Sequence, residues 1–329
     1  MKNTFLSMLA FVLVLLCAVS AAASPLGGDE AKALYEQAMT YYYGGQRDDE
    51  KALALLTQAA ELGSPEAMAK IGDMYFWGRG VSVDPALYKE WYRKAYSRFE
   101  QLARAGDTEA MVMAGDMLFD LYPSGAGIDF DEDRALSWYL KAAEEGSPKA
   151  MRMVGEVFQY RGYENKQDHQ QAFSWYQRAA QSGDARAMYE IGWMYERGYY
   201  VAQDNEQAMK WYISAAEAGD SEAFHRLGEM YHHGESFLQH DWRYAEKWYL
   251  KAAQAGNTSA MWRLGMMYLY GDSYGDPGKE KEPVDYEKAV YWLEKTMEYE
   301  ENTDILADVF TDLYYARKYL SGEMSPEDE

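Results

Sequence analysis

Three short stretches carry residue types that do chemistry. Gly271-Asp272-Ser273-Tyr274-Gly275 has the G-x-S-x-G form of a nucleophile elbow. That turn works only with a strand before it, a helix after it, and an Asp and a His aimed at the serine. Here a helical pattern precedes it and Pro277 and Pro283 follow, so no strand is available. His225, Glu229 and His232 share one helix face and form a possible divalent-ion set. Their spacing is not H-E-x-x-H, and positions 225 and 232 stand about 10 Å apart along a helix axis. A polar face that responds to pH fits them better, because histidine titrates near neutrality. Asp129, Asp131 and Asp133 begin like a calcium loop, but Arg134 and Leu140 stand where Gly and Glu are needed. They read as the acidic cap of a helix. No phosphate loop or dinucleotide fingerprint occurs. No catalytic residue, metal or cofactor is therefore expected, and the chain does not read as an enzyme.

The elements around these stretches begin with an export signal. Lys2 is the only charge before Asp29, Phe5 to Ser20 is almost wholly apolar, and Ala21-Ala22-Ala23 offers a cleavage site. These are the parts of a secretory signal peptide over 1–23. The apolar run is short for a spanning helix, which takes about 20 residues, so no membrane insertion is expected after cleavage. Cys17 is the only cysteine and would leave with the signal, so the mature chain has no disulfide. Export without disulfides points to a bacterial periplasm or to secretion. The chain has 32 basic and 54 acidic residues, a net charge of -22, and loss of Lys2 makes it -23. Such a charge opposes binding to nucleic acid, which needs cations against phosphate, and to anionic lipid. It suits a basic protein partner.

Internal repetition sets the architecture. A phrase opens at Gly63, Gly106, Gly146, Gly183, Gly219 and Gly256, as in Gly63-Ser64-Pro65-Glu66-Ala67-Met68. Nine residues later stands a second glycine, at 72, 115, 155, 192, 228 and 265. A second phrase follows in each unit: Trp91-Tyr92, Trp138-Tyr139, Trp175-Tyr176, Trp211-Tyr212, Trp248-Tyr249 and Trp292-Leu293. The leading glycine predicts a helix end, since it takes the left-handed conformation readily. The Ser, Asp, Thr or Pro after it starts helix A. The second glycine costs helix A about 1 kcal/mol, which close approach of helix B would offset. Helix B carries Ala-x-x-Trp-Tyr on its buried face, so Trp211 is expected in the core. Trp91 lies seven residues further from its next glycine than its counterparts, which predicts two extra turns of helix.

These two phrases, recurring in register, resemble the Sel-one-like repeat family, relatives of tetratricopeptide repeats. The resemblance implies an all-α, right-handed α-solenoid of six to seven helix-turn-helix repeats that scaffolds protein contacts. The expected layout is a divergent helical unit at 24–58, six repeats over 59–296, a capping helix at 297–320 and an acidic tail at 321–329. Ile305, Leu306, Val309, Phe310, Leu313 and Leu320 of the cap are expected to face the stack. Exported relatives suggest an envelope or host-interaction scaffold, or an immunity protein against a toxin. A cell-wall or β-lactam hydrolase is the alternative class.

The binding face follows from comparing the repeats with one another. Positions three before, one after and four after the internal glycine vary freely and share a face of helix A. By the resemblance, helix A lines the concave surface. In the last three units that face holds Tyr189, Trp193 and Glu196, then His225, Glu229 and His232, then Trp262, Met266 and Leu269. An exposed strip rich in aromatic residues and methionine marks an interaction site. The first eight of these residues are the predicted partner-binding set.

Overall fold

The computed structural model describes residues 28–44, 47–119, 127–161, 166–234, 238–271, 284–299 and 303–325. Residues 1–27, which hold the expected signal and Cys17, Asp272 to Gly275 of the serine motif, and residues 326–329 of the expected tail lie outside the described residues. Fifteen helices and no strand occur among the described residues. They fall into two compact units, Met1–Ser147 and Pro148–Glu329. The first holds α1 (Gly28–Tyr43), α2 (Asp49–Glu61), α3 (Pro65–Trp77), α4 (Pro85–Arg104), α5 (Thr108–Leu118) and α6 (Glu132–Glu144). The second holds α7 (Pro148–Arg161), α8 (Lys166–Gln181), α9 (Ala185–Arg197), α10 (Asn205–Glu217), α11 (Ser221–His233), α12 (Trp242–Gln254), α13 (Thr258–Tyr270), α14 (Tyr286–Tyr299) and α15 (Thr303–Ser321). Within each unit every helix packs on the next, so the helices stack as A/B pairs with α15 added at the end.

One short device joins successive pairs. The N–H of Gly63 bonds to the Ala60 carbonyl, and that of Ser64 to Ala59. This crossed pair closes a helix end. Ser64 then accepts the Ala67 N–H and opens α3. Asp107, Asp184, Asp220 and Asn257 do the same double duty, each accepting the N–H three residues on at 2.7–2.8 Å. Each such cap is worth about 1 kcal/mol.

The turn from A to B varies in length, yet it closes in one way. The cap residue of helix B returns its N–H to the carbonyl three residues past the internal glycine: Asp84 to Tyr75, Asp131 to Leu118, Asp204 to Tyr195, Asp241 to Tyr231 and Asp285 to Tyr268. Asp131 also accepts the Arg134 N–H at 3.0 Å, which gives the acidic run at 129–133 a capping role. The serine motif is preceded by helix α13, not by a strand.

The internal glycines form seats. A Cβ built on Gly72, Gly115, Gly155, Gly192 or Gly228 would meet the ring of Tyr92, Tyr139, Tyr176, Tyr212 or Tyr249 at 2.5–2.8 Å. On Gly265 it would meet Leu293 at 2.6 Å. Close approach of helix B therefore offsets the propensity cost, as expected. The buried partner differs from the expectation: these tyrosines and Leu293 are wholly buried, whereas Trp211 is only half-buried. Adjacent residues on a helix lie about 100° apart, so only one of the pair meets the glycine. The other is half-buried at Trp91, Trp175, Trp211 and Trp248 and buried only at Trp138; Lys94, Lys141, Arg178 and Lys251 cover Trp91, Trp138, Trp175 and Trp248 at 3.9–4.5 Å.

The long helix is α4, whose 20 residues compare with 13 in α6, α10 and α12. In α15, Val309 and Leu313 face the stack, but Phe310 and Leu320 are 63% and 47% exposed. The buried stripe runs 309, 312, 313, 316, 319, and positions 310 and 320 fall outside it.

Candidate protein-interaction face

The seat fixes more than packing, because a buried tyrosine hydroxyl must find an acceptor. Each crosses to helix A and donates to a side chain one or four residues past the glycine. Tyr92 donates to Asp73 at 2.7 Å, Tyr139 to Asp116 at 2.8 Å and Tyr176 to Gln159 at 2.7 Å. Tyr212 donates to Glu196 at 2.8 Å and Tyr249 to Glu229 at 2.9 Å. Where Leu293 replaces tyrosine, those two positions are Met266 and Leu269, and neither is a charged acceptor. Burial and the adjacent carboxylates push the Tyr212 and Tyr249 hydroxyls far above their ordinary range, so both stay protonated donors.

In the second unit, arginines link successive A helices through the same carboxylates. Arg226 of α11 reaches back to Glu196 of α9 at 2.8 Å. Arg263 of α13 reaches back to Glu229 of α11 at 2.8 Å. Burial works to raise the Glu229 pKa, but Arg263, His225 and the Tyr249 hydroxyl outweigh it and hold the carboxyl below its usual value. Glu196 and Glu229 thus hold the scaffold together while lying on the predicted face. Their neutralisation leaves this strip less acidic than the net charge of the chain implies.

The predicted strip is half-buried rather than exposed. Trp193 lies tilted against Tyr199 at 4.9 Å, and Tyr199 stacks on His169 of the preceding B helix at 5.0 Å. Tyr189 lies against Tyr212 at 5.3 Å with Arg186 over its ring, and burial lifts its hydroxyl to about 12. His225 packs beside Tyr249 and 3.8 Å from Glu229, and burial lowers its pKa. His232 is 6% exposed, and burial drives its pKa down to about 4. It lies edge-on to Tyr249 rather than open to a partner. Trp262 donates its indole N–H to Asp312 of α15 at 2.9 Å, so the terminal helix covers it. Met266 is half-buried. Among the described residues no group of three or more His, Cys, Asp or Glu is arranged to hold a metal ion. No helix among them is long and apolar enough to cross a membrane.

The sequence did not single out Tyr199, His169, Arg226, Arg263 or Asp312. One signal was available: an acid or amide at one or four past the glycine in every Trp-Tyr unit, and none in the Trp-Leu unit.

The repeat that carries this seat is a known one. The Sel1 repeat pattern matches residues 31–64, 65–98, 108–147, 148–184, 185–220, 221–257 and 258–296. The chain belongs to the Sel1 repeat family. A solved Sel1 repeat protein from Oxalobacter formigenes is 32% identical, covering 83% of this chain and 99% of its own, with a TM-score of 0.53. The immunity protein Pa5087 from Pseudomonas aeruginosa is 18% identical, with 82% of each chain covered and a TM-score of 0.44. Chitin synthase regulator SKT5 of Saccharomyces cerevisiae is 30% identical over 135 residues, 40% of this chain. The chain spans only 18% of that curated relative's length. Sel1 repeats mediate protein–protein interaction, and their helical scaffold is typically non-catalytic.

Proposed function

We propose that this Sel1 repeat chain is an exported adaptor that binds one protein partner along the A helices α9, α11 and α13. One observation carries the reading. Those helices bring Tyr189, Trp193, His225 and Met266 to one face, each with part of its surface open, over a framework whose charges are already paired. Rigid aromatic side chains held in place lose little entropy on binding and serve as anchors. Glu196 and Glu229 act as positioning residues, and Trp262 contributes through α15. Export to the periplasm or beyond rests on the signal-like segment 1–23.

The test is capture of the partner by the immobilised full chain from the envelope fraction of its own cells. Loss of one stoichiometric partner on Trp193→Ala, with retention on Tyr244→Ala (51% exposed, on helix B), is the expected result. Equal retention by both variants would move the binding face elsewhere. A toxic enzyme as that partner assigns the immunity role; an envelope component assigns the scaffold role. A cell fraction that leaves the chain in the cytoplasm would sink the export half of the proposal.

A further inference from the structure

The two extra turns of α4 build a surface that no other A/B pair has among the described residues. Its inner stripe, Tyr92, Ala95, Phe99 and Ala103, is buried, so the extension is a packed part of the first unit. Its outer side is basic. Residues 85–104 carry Lys89, Arg93, Lys94, Arg98 and Arg104 against Glu90 and Glu100, in a chain with 54 acidic and 32 basic residues. Among the described residues, Lys94 and Arg104 of this set pair with carboxylates, and Lys89, Arg93 and Arg98 do not. Arg93 donates to the Gly127 carbonyl at 3.0 Å. Arg98 donates to the Gly63 carbonyl at 3.4 Å and to Gln101 at 2.6 Å. Neither has a carboxylate partner among the described residues. Lys94 is held by Glu90 at 2.7 Å and lies over the Trp91 ring.

Between this side and the start of α3 runs an open groove of about 430 Å³, lined by Met68, Arg93, Lys94, Ser97, Arg98 and Gln101, with Glu90 at one end. Residues 90 to 101 extend it by about 16 Å along the helix, the reach of a short peptide rather than of a single small anion. Arg93 and Arg98 present guanidinium groups suited to carboxylates. Ser97 and Gln101 add hydrogen-bonding groups, and Met68 an adaptable apolar contact.

We propose that the α4 groove binds an acidic peptide segment of a partner protein, a second contact separate from the aromatic face of the other unit. A long polyanion is disfavoured, because beyond the patch it meets a chain of net charge -22. A segment confined to the groove is bound locally, since fields from more distant charges are screened beyond about 8 Å at physiological salt.

The experiment titrates the full chain into a fluorescein-labelled ten-residue glutamate-rich peptide at low ionic strength and follows anisotropy. Saturable binding is expected. It should weaken about tenfold on raising salt to physiological strength and be lost in R93E/K94E/R98E. Ser97→Glu, which leaves both arginine–carbonyl bonds in place, should weaken it several-fold and covers the case in which the triple variant does not fold. Trp193→Ala should leave it unchanged. The proposal is overturned if the peptide does not bind, or if the groove variants bind as well as the parent. It is also overturned if inorganic phosphate at matched ionic strength displaces the peptide. Reversible self-association of the chain that the triple variant abolishes would make a second copy the occupant, and would overturn it too.

Discussion

The pair α11/α12 and the pair α13/α14 use the same seat with opposite chemistry. In the first, Gly228 receives the Tyr249 ring, and the hydroxyl goes on to Glu229 and its Arg263. In the second, Gly265 receives Leu293, and the next position is Met266. Both inner residues are wholly buried. The difference separates two roles that coincide in the other pairs. Filling the space above the glycine is the common requirement. The hydroxyl adds a polar debt that one residue of helix A must meet, and where the hydroxyl goes, the carboxylate goes too.

The largest break comes from emptying the seat. Tyr249→Ala should cost about 3–5 kcal/mol and Leu293→Ala about 2–5, while Trp248→Ala, half-buried at the edge, should cost clearly less. Urea unfolding measures all three, and a larger loss at Trp248 would reverse the assignment of the buried residue. Closing the seat is next. Gly228→Ala should cost about 2–3 kcal/mol, because the Tyr249 ring is pinned at its far end. Gly265→Ala should cost less, because Leu293 can change rotamer. Equal losses would show that the hydroxyl pins nothing.

Removing or adding the hydroxyl sharpens the comparison. Tyr249→Phe should cost about 1–2 kcal/mol. Leu293→Tyr alone should destabilise, and Leu293→Tyr with Met266→Glu should recover at least about 1 kcal/mol of that loss in a double-mutant cycle. Independence of the two substitutions would refute the pairing rule.

The smallest effects are in pH. Glu190 is buried, and despite Arg186 at 3.0 Å its pKa is lifted from 4.5 to about 7. Between those values the folded chain keeps a proton that the unfolded chain has released, so this group makes stability fall as pH rises. His232, lowered from 6.5 to about 4, acts in the opposite sense. Between pH 4 and 6.5 the unfolded chain takes a proton that the folded chain refuses, so stability falls as pH falls. Each slope is at most about 1.4 kcal/mol per pH unit. Glu190→Gln should raise stability at pH 7 relative to pH 5, and His232→Gln should flatten the acid limb. Thermal melts across pH 4–8 that are unchanged by both would exclude these groups.

The repeat phase, the helix caps, the long α4 and the role of the second glycine were legible, because glycine and cap residues act through local backbone geometry. Trp and Tyr were not separable, since both are large, apolar and adjacent, and only the rotation of helix B decides which meets the glycine. Trp262 was read as open because its cover, Asp312, lies 50 residues on. Glu196 and Glu229 were read as partner contacts because their tyrosine and arginine partners come from other helices.

The linker glycines hold a consequence in handedness. Gly106, Gly146, Gly183, Gly219 and Gly256 have φ between 88° and 98°, and a side chain placed on them would meet nothing within 4 Å. They are glycine for the sign of a torsion angle alone. A mirror-image residue has that sign as its natural preference. D-alanine introduced at these joints by chemical ligation should adopt that torsion without backbone strain. Each replacement would restrict the unfolded chain and raise stability by about 0.4–1 kcal/mol, whereas L-alanine at the same joints should lower it.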